Sequence, residues 1–300
     1  MTITHPDKQL FGAAGVSKQD LADYYATVAP AMLPHLRGRP LALERFPDGI
    51  DGEGFMQKQV AAHAPSFVHR RTVDRVGGGT VTMIVCDNAK TLDYLANQAA
   101  LTLHPWLSKG RSLHRPDRLI FDLDPSHSDF AEVRTAALTL HEILTDLGLR
   151  AYPMVTGSRG IHVTVPIAAR VDFDDVRAFA LDVATVLVSR HPTLLTTEVR
   201  KAARGDKIFV DTLRNAYGQH AVAAYSVRPL PGAPVATPLD WSEVEDRHLT
   251  AQTFTIRDIA ERLSYGDPWK GISRPGPTLT RARKRLTDMS EDLPVQESGA

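Results

Sequence analysis

The sequence holds one cysteine, Cys86, in 300 residues. A lone thiol cannot close an internal disulfide, and no CxxC pair is present to build a zinc knuckle. Cys86 ends the apolar run 81–86, where a buried, inert thiol is expected. No apolar run approaches the roughly 20 residues that a membrane-spanning helix needs, and no basic-then-apolar leader opens the chain. A cytoplasmic protein with no membrane partner is the expectation, nucleoid-associated if it meets DNA. There is no internal repeat and no excess of charge: 35 basic residues balance 35 acidic ones. That balance counts against a uniformly basic nucleic-acid-binding domain. It leaves room for a basic groove, because the charges cluster. Lys109, Arg111, Arg115 and Arg118 lie together with only Asp117 opposing; Arg200, Lys201, Arg204 and Lys207 form a second group; Arg281 to Arg285 reads RARKR. A content of 43% hydrophobic and 23% charged residues is that of a folded globular protein, with length enough for one large core or two smaller ones.

The most informative stretch is Arg118-Leu119-Ile120-Phe121-Asp122-Leu123-Asp124-Pro125. Its alternation predicts a strand with Leu119, Phe121 and Leu123 on a core face and Ile120, Asp122 and Asp124 on the other. The two carboxylates then stand about 6.6 Å apart along the strand. Like charges that close call for a cation, and a hard divalent one, Mg²⁺ or Mn²⁺, suits carboxylate oxygens. Pro125 cannot continue a ladder, so the strand ends where the carboxylates project. Two solvated aspartates at a strand end satisfy these residues equally well. A D-x-D pair also serves metal-dependent glycosyltransferases, so the pair by itself names no reaction.

Around this strand the chain reads as mixed α and β. Ser17 and Asp20 look like an N-cap and its N3 partner, followed by Leu21, Tyr24, Tyr25, Val28, Met32 and Leu36 at helical spacing. Pro30 and Pro34 are expected to kink or split that helix. A strand over 41–46 leads to a glycine-flanked segment with Phe55, expected on an exposed loop where it could stack on a base or tuck into the core. Residues 70–86 read as a hairpin turning at Gly77-Gly78-Gly79. A helix is expected from Asp87 through Leu103, ended by His104 and Pro105, with His104 as a cap. Further helices are expected over 133–147 and 172–190, stopped by Gly148 and Pro192. Between them, strands flank Thr156-Gly157-Ser158-Arg159-Gly160. Glycines, hydroxyls and an arginine there could form a nest for phosphate, with His162 beginning the next strand; a plain hairpin turn accounts for the glycines alone. Residues 207–211 are another strand ending in an aspartate, Asp211, with Arg214 and Asn215 following. A third carboxylate beside the first pair would complete a two-metal site. Residues 220–228 are expected as a strand, 229–238 as proline-rich coil, and 255–263 as a short helix capped by Thr255. Beyond about Thr287 an acidic, disordered tail is expected.

Four segments in this order resemble the polymerase domain of bacterial ligase D, in the archaeo-eukaryotic primase superfamily. They are Phe121-Asp122-Leu123-Asp124-Pro125, Gly157-Ser158-Arg159-Gly160-Ile161-His162, Lys207-Ile208-Phe209-Val210-Asp211 and Ala224-Tyr225-Ser226-Val227-Arg228-Pro229. Each is weak alone; the combination is specific and covers nearly the whole sequence. The resemblance implies a primase-polymerase fold, α/β with mixed, largely antiparallel sheets forming a groove and helices outside. It implies one catalytic domain over 1–286 in a stand-alone form, with 287–300 as the tail. The implied function is template-dependent nucleotidyl transfer at DNA ends in double-strand break repair by end joining, on DNA with 5′-phosphorylated gaps or ends and with NTP or dNTP substrates. Ku and a separate DNA ligase are the implied protein partners.

Residue by residue, the resemblance assigns Asp122, Asp124 and Asp211 to two metals, Mn²⁺ or Mg²⁺. It places His104, Thr156, Ser158, Arg159, His162 and Arg228 around the incoming nucleotide. Arg204 falls near the primer terminus, Lys8 and Lys18 on the 5′-phosphate across a gap, and Phe55 under the template base. Three positions depart from the pattern: Met56 where a second aromatic is common, Glu44 where a lysine stands beside Arg45, and Arg159 where lysine is common. The rival readings are a D-x-D glycosyltransferase, which would not need Lys8 and Lys18, and a non-catalytic DNA-end-binding module, which would not need three carboxylates.

Overall fold

A computed structural model describes residues 2–126 and 129–291. A small antiparallel ribbon of β1 (Gln9–Phe11) and β2 (Val16–Ser17) precedes α1 (Lys18–Leu36). The capping box forms as expected: the Ser17 side chain accepts from the Asp20 amide, and the Asp20 carboxylate accepts from the Ser17 amide. Helix α1 runs unsplit through Pro30 and Pro34. Both prolines lie on its exposed face, where the carbonyls they leave unpaired can bond to water. Leu21, Tyr25, Val28, Met32 and Leu36, fully buried on the other face, hold it together.

An antiparallel sheet follows, built from β3 (Pro40–Arg45), β4 (Phe55–Gln57), β5 (His69–Asp74), β6 (Thr80–Val85) and, after α2 (Ala89–Asn97), β7 (Ala100–Pro105). Strand β3 is its hub, pairing with β4, β6 and β7. The expected helix over 87–103 is a correction. Asn88 caps α2, which ends at Asn97; Ala99 takes φ +50, and the chain turns into β7. Leu101 and Leu103 are buried along with Ala100 and Thr102. A strand covered on both faces has no alternation to distinguish it from a buried helix. His104 is therefore a strand residue and not a helix cap.

The second half carries β8 (Arg118–Asp124), α3 (Phe130–Asp146), β9 (Tyr152–Val155), β10 (Ile161–Pro166), α4 (Phe173–Arg190), β11 (Leu195–Thr196), β12 (Ile208–Asp211) and β13 (Thr237–Pro238). The sheet order is β11-β12-β8-β10-β9-β13, and only β11 and β12 pair in parallel. Leu119, Phe121 and Leu123 are fully buried in a core with Leu140 and Leu144 of α3 and Phe179 and Val183 of α4. The helices thus cover one face of the sheet, and the face bearing Asp122 and Asp124 is turned towards β7 of the first sheet. The sequence-level expectation of mixed, largely antiparallel α/β layers around a groove holds.

Three C-terminal expectations change. The helix expected over 255–263 with a Thr255 cap begins at Ile259, after Asp258. Residues 220–228 are not a regular strand; they make isolated bridges, Trp106 with His220 and Val227 with Val235. Tyr225 sits at φ +67, and side-chain bonds join the backbone ones: Ser226 Oγ accepts from the Leu103 amide at 2.7 Å and Thr102 Oγ1 donates to the Val227 carbonyl at 2.9 Å. After α5 (Trp241–Val244) and α6 (Ile259–Ser264), α7 (Thr280–Glu291) includes residues 287–291, which the sequence reading assigned to a disordered tail. Leu286 is buried and Met289 packs beside it on the second core, so this turn of helix has apolar surface to cover. Residues 292–300 of the expected tail lie outside the described residues. Among the described residues no helix is long and apolar enough to cross a membrane.

Candidate nucleotidyl-transfer site

Strand register gathers the carboxylates. On one side of Asp122, β12 places Asp211 directly opposite; on the other, β10 places His162 directly opposite. Facing residues share a face of the sheet, with Cβ atoms about 4.5–5.5 Å apart. Asp211, Asp122 and His162 therefore form a row across three strands, with Asp124 two residues along from Asp122. The His162 Nε2 lies 3.3 Å from Asp122 Oδ1. Arg214, on the turn after β12, reaches back with Nε 3.7 Å from Asp122 and 3.8 Å from Asp211. Arg159 places a guanidinium nitrogen 3.1 Å from Asp124.

Loop 156–160 lies beside the carboxylates and lines the same cavity as Asp122 and Asp124. Thr156 Oγ1 accepts from the amides of Ser158 at 3.3 Å and Gly160 at 3.2 Å. Those two amides are thus turned inward and are not free to bind an anion. The glycines are required: a Cβ on Gly160 would strike the Leu123 carbonyl, and Gly157 has φ +66 with the Val235 carbonyl carbon 2.7 Å from where its Cβ would stand. Arg228 donates to the Thr156 carbonyl at 3.0 Å and closes the wall.

These groups line one cavity of about 190 Å³, with Asp122 and Asp124 on its floor, Arg159, Arg214 and Arg228 around it, and His104 and His220 at the side nearest the first sheet. A larger cavity of about 710 Å³, near Tyr265 and Lys270, contains none of these residues; the chemistry selects the smaller one. Glu44 of β3 faces His104, 3.8 Å away. The neighbouring His104 holds the Glu44 carboxyl low, against burial. Burial pushes His104 down, with Glu44 opposing. Burial, then the charges of His104, Lys58 and Arg214, push His220 down to about 3, so His220 is neutral at physiological pH.

The three aspartates differ. Burial alone would raise Asp122, but His162, then Arg214 and Arg228, outweigh it and hold the carboxyl below its usual range. Burial, then the Asp122 charge, raises Asp124. Burial again, with the Asp122 charge adding to it, raises Asp211 although the Leu213 amide opposes. Two strained carboxylates beside a third, all hard oxygen donors, fit a divalent cation. Among the described residues no three acidic, histidine or cysteine side chains already converge as a closed ligand set. Asp124 is turned to Arg159 and Asp211 to the Leu213 amide at 2.6 Å, so holding a cation requires these side chains to rotate.

The family described as LigD, primase-polymerase domain, matches residues 17–269. The chain belongs to the LigD primase-polymerase family. It is 35% identical to the multifunctional non-homologous end joining DNA repair protein LigD of Mycobacterium tuberculosis over 99% of its own length and 38% of that protein. It is 32% identical to the bifunctional LigD of Bacillus subtilis over 88% of its length and 42% of that protein. The chain thus spans about two-fifths of these relatives. The solved polymerase domain of Mycobacterium tuberculosis ligase D, in complex with DNA, superposes with a TM-score of 0.86 at 33% identity, covering 92% of this chain and 99% of that one. The family is one of nucleotidyltransferases, which sets the nucleotide-sugar rival aside.

The other residues that the LigD resemblance singled out, Arg204, Lys8, Lys18 and Phe55, do not line the cavity. Arg204 stacks 3.7 Å over the Phe209 ring, which the register places opposite Asp124, and its charge is felt by Asp124 and Asp211. Lys8 and Lys18 come together at the ribbon: the Lys18 amide bonds to the Lys8 carbonyl at 2.8 Å. Burial, then the charges of Lys8 and Arg45, lower Lys18, while Lys8 pairs with Asp48 at 2.7 Å. Phe55 is on the edge strand β4 and not a loop. It is 46% exposed beside Met56 at 47%, with Arg45 over its ring. Sequence reasoning missed roles for Arg214 and His220 and treated Glu44 only as a departure. An arginine at i+3 from Asp211 was the available signal for the first; the other two depend on how the sheets face.

A stability consequence follows from the raised carboxyls. A carboxyl whose folded pKa lies above its unfolded value favours the fold while protonated, and that contribution is lost as pH rises through the folded pKa. Without divalent cations, Asp211→Asn should therefore raise the melting temperature at neutral pH, and the gain should vanish below the carboxylate range. Melting curves at both pH values check this; no gain at neutral pH would contradict it.

Proposed function

We propose that this chain extends DNA 3′-hydroxyls by template-directed nucleotidyl transfer from NTPs or dNTPs, filling gaps and extending ends in double-strand break repair by non-homologous end joining. The observation that carries the reading is a cavity floor of Asp122 and Asp124, with Asp211 opposite Asp122 on the neighbouring strand, under a cationic wall of Arg159, Arg214 and Arg228, in a member of the LigD primase-polymerase family. Such a floor suits two divalent cations, Mn²⁺ or Mg²⁺, and the wall suits a triphosphate. When bound, the metals would activate the primer hydroxyl and neutralise charge on the pyrophosphate. The chain's own residues hold and orient. The three aspartates position the reacting oxygens, while Arg159, Arg228, His162, Thr156 and Ser158 take the phosphates. Arg204 stands by the primer terminus, and His104 by the nucleotide. No covalent enzyme intermediate is needed.

Lys8 and Lys18 supply the 5′-phosphate contact and Phe55 the platform under the template base. An end-joining role further implies residence with chromosomal DNA and cooperation with Ku and a DNA ligase. The decisive assay extends a labelled primer across a short gap with and without a 5′-phosphate, with Mn²⁺ or Mg²⁺ and with rNTPs or dNTPs. Templated extension stimulated by the phosphate is expected. DNA binding without extension in any lane would favour the end-binding module instead. Lys8→Ala should reduce the phosphate preference about tenfold, the worth of one charge-assisted contact. An unchanged preference would remove Lys8 from that role.

A further inference from the structure

The turn after β12 contains a side chain that acts as backbone. Asn215 is fully buried. Its Oδ1 accepts from the Ile120 amide at 2.9 Å, and its Nδ2 donates to the Ile120 carbonyl at 2.7 Å and to the Thr212 carbonyl at 2.9 Å. The three partners fix the orientation of the amide, because the reverse would set donor against donor.

The register explains why this matters. Strand β12 pairs Phe209 with Asp124, Val210 with Leu123 and Asp211 with Asp122. One further rung of this ladder would set Leu213 opposite Ile120. Instead the chain leaves the ladder at once and enters a short 3-10 turn, Leu213–Asn215. The Asn215 amide takes the rung, giving Ile120 the paired N–H and C=O bonds that a strand would have given it. Two things depend on the early exit. The Leu213 amide is released to bond to Asp211 Oδ1. Arg214 is brought onto the carboxylate face, within 4 Å of Asp122 and Asp211. Had the strand continued, alternation would have pointed residue 214 to the opposite face, into the helix-covered core.

We infer that Asn215 is a positioning residue: it ties the Asp211 turn to β8 two residues before Asp122, and so sets the spacing of Asp122 and Asp211 and directs Arg214 across them. This rests on the metal-binding reading of those aspartates. Residues that orient metal ligands through one further hydrogen bond typically change metal affinity 10–100-fold when replaced.

The test is Mn²⁺ binding to the full chain, followed by electron paramagnetic resonance of free Mn²⁺ without nucleotide or DNA. Wild type, Asp122→Ala, Asn215→Ala and Asn215→Ser are compared, with melting curves to report folding and a duplex-binding assay as control. Binding should be lost in Asp122→Ala and weakened at least about tenfold in Asn215→Ala, with DNA affinity unchanged. The serine variant, which retains one hydrogen-bonding group, should fall between and provides the comparison if the alanine variant does not fold. A folded Asn215 variant that binds Mn²⁺ as tightly as wild type would overturn the inference while leaving the metal site intact. If wild type itself shows no binding that depends on Asp122, the metal reading fails, and the inference with it.

Discussion

Asp122→Ala and Asp124→Ala will each lower metal-dependent primer extension by about 10³-fold or more, corresponding to roughly 4 kcal/mol of transition-state stabilisation, while leaving DNA binding near the wild-type level. Asp122 is the centre of the row, with Asp211 opposite on one strand and His162 opposite on the other. Removing it deletes the carboxylate that two neighbouring groups are arranged around. Asp124 contributes one of the two raised carboxyls and anchors Arg159 at the mouth of the phosphate loop. Neither change should unfold the protein. Without Asp122, Arg214 keeps Asp211 as a partner; without Asp124, Arg159 is 60% exposed and can be hydrated where it stands. Loss of negative charge beside a DNA-binding groove cannot weaken its attraction for phosphate. Single-nucleotide insertion rates and equilibrium DNA binding on the same preparations check both halves. Either variant retaining most of its activity would remove that aspartate from the metal site.

Arg39→Ala will destabilise the fold by about 3 kcal/mol, the low end of the usual cost of breaking a buried ion pair, because Asp117 keeps Lys109 at 3.0 Å. Arg39 is 1% exposed. Its two terminal nitrogens meet the Asp117 carboxylate at 2.7 and 2.8 Å, and one also bonds to the Trp106 carbonyl at 3.2 Å. Asp117 immediately precedes β8, and Arg39 immediately precedes β3. The pair therefore joins the two sheets at the start of the strand that carries Asp122 and Asp124. Burial pushes Asp117 up, but Arg39 first, then Arg118 and Lys109, hold it below the usual carboxylate range. A depressed carboxyl contributes stability above its unfolded pKa and loses it as pH falls through the folded pKa. The stability gap between wild type and Asp117→Asn should accordingly shrink on acidification. Replacing both partners with apolar residues should recover much of the loss, since the desolvation penalty disappears with the charges. Denaturant unfolding at two pH values measures this; an Arg39→Ala variant within about 1 kcal/mol of wild type would mean that the pair is only a surface contact.

Local signals were read well where one chemical rule decided the outcome. The Ser17–Asp20 capping box, the Gly148 stop and the two-faced strand 118–124 needed only neighbouring residues. The misreadings share a cause. Residues 100–103 are buried on both faces, and only pairing with β3 makes them a strand. In 220–228, expected as a strand, the backbone bonds to β7 are joined by bonds from the hydroxyls of Thr102 and Ser226, and no regular ladder forms. Pro30 and Pro34 were judged without knowing that their face of α1 is exposed. Phe55 was judged by its glycine neighbours, although Arg45 pairs with it across β3 and β4.

The sequence by itself determined the strand 118–124, its core face and the placement of two carboxylates on the other face. It also determined the glycine-bounded loop and, through four motifs in order, the family. Each is a matter of residue type and short-range period. Only the tertiary structure decided that Asp211 and His162 flank Asp122, that Glu44 faces His104, that Arg214 lies across two carboxylates, and that Asn215 stands in for a strand. Those arrangements are set by register and by the packing of one sheet towards another. They join residues far apart in the chain, and no local pattern encodes which strand lies beside which.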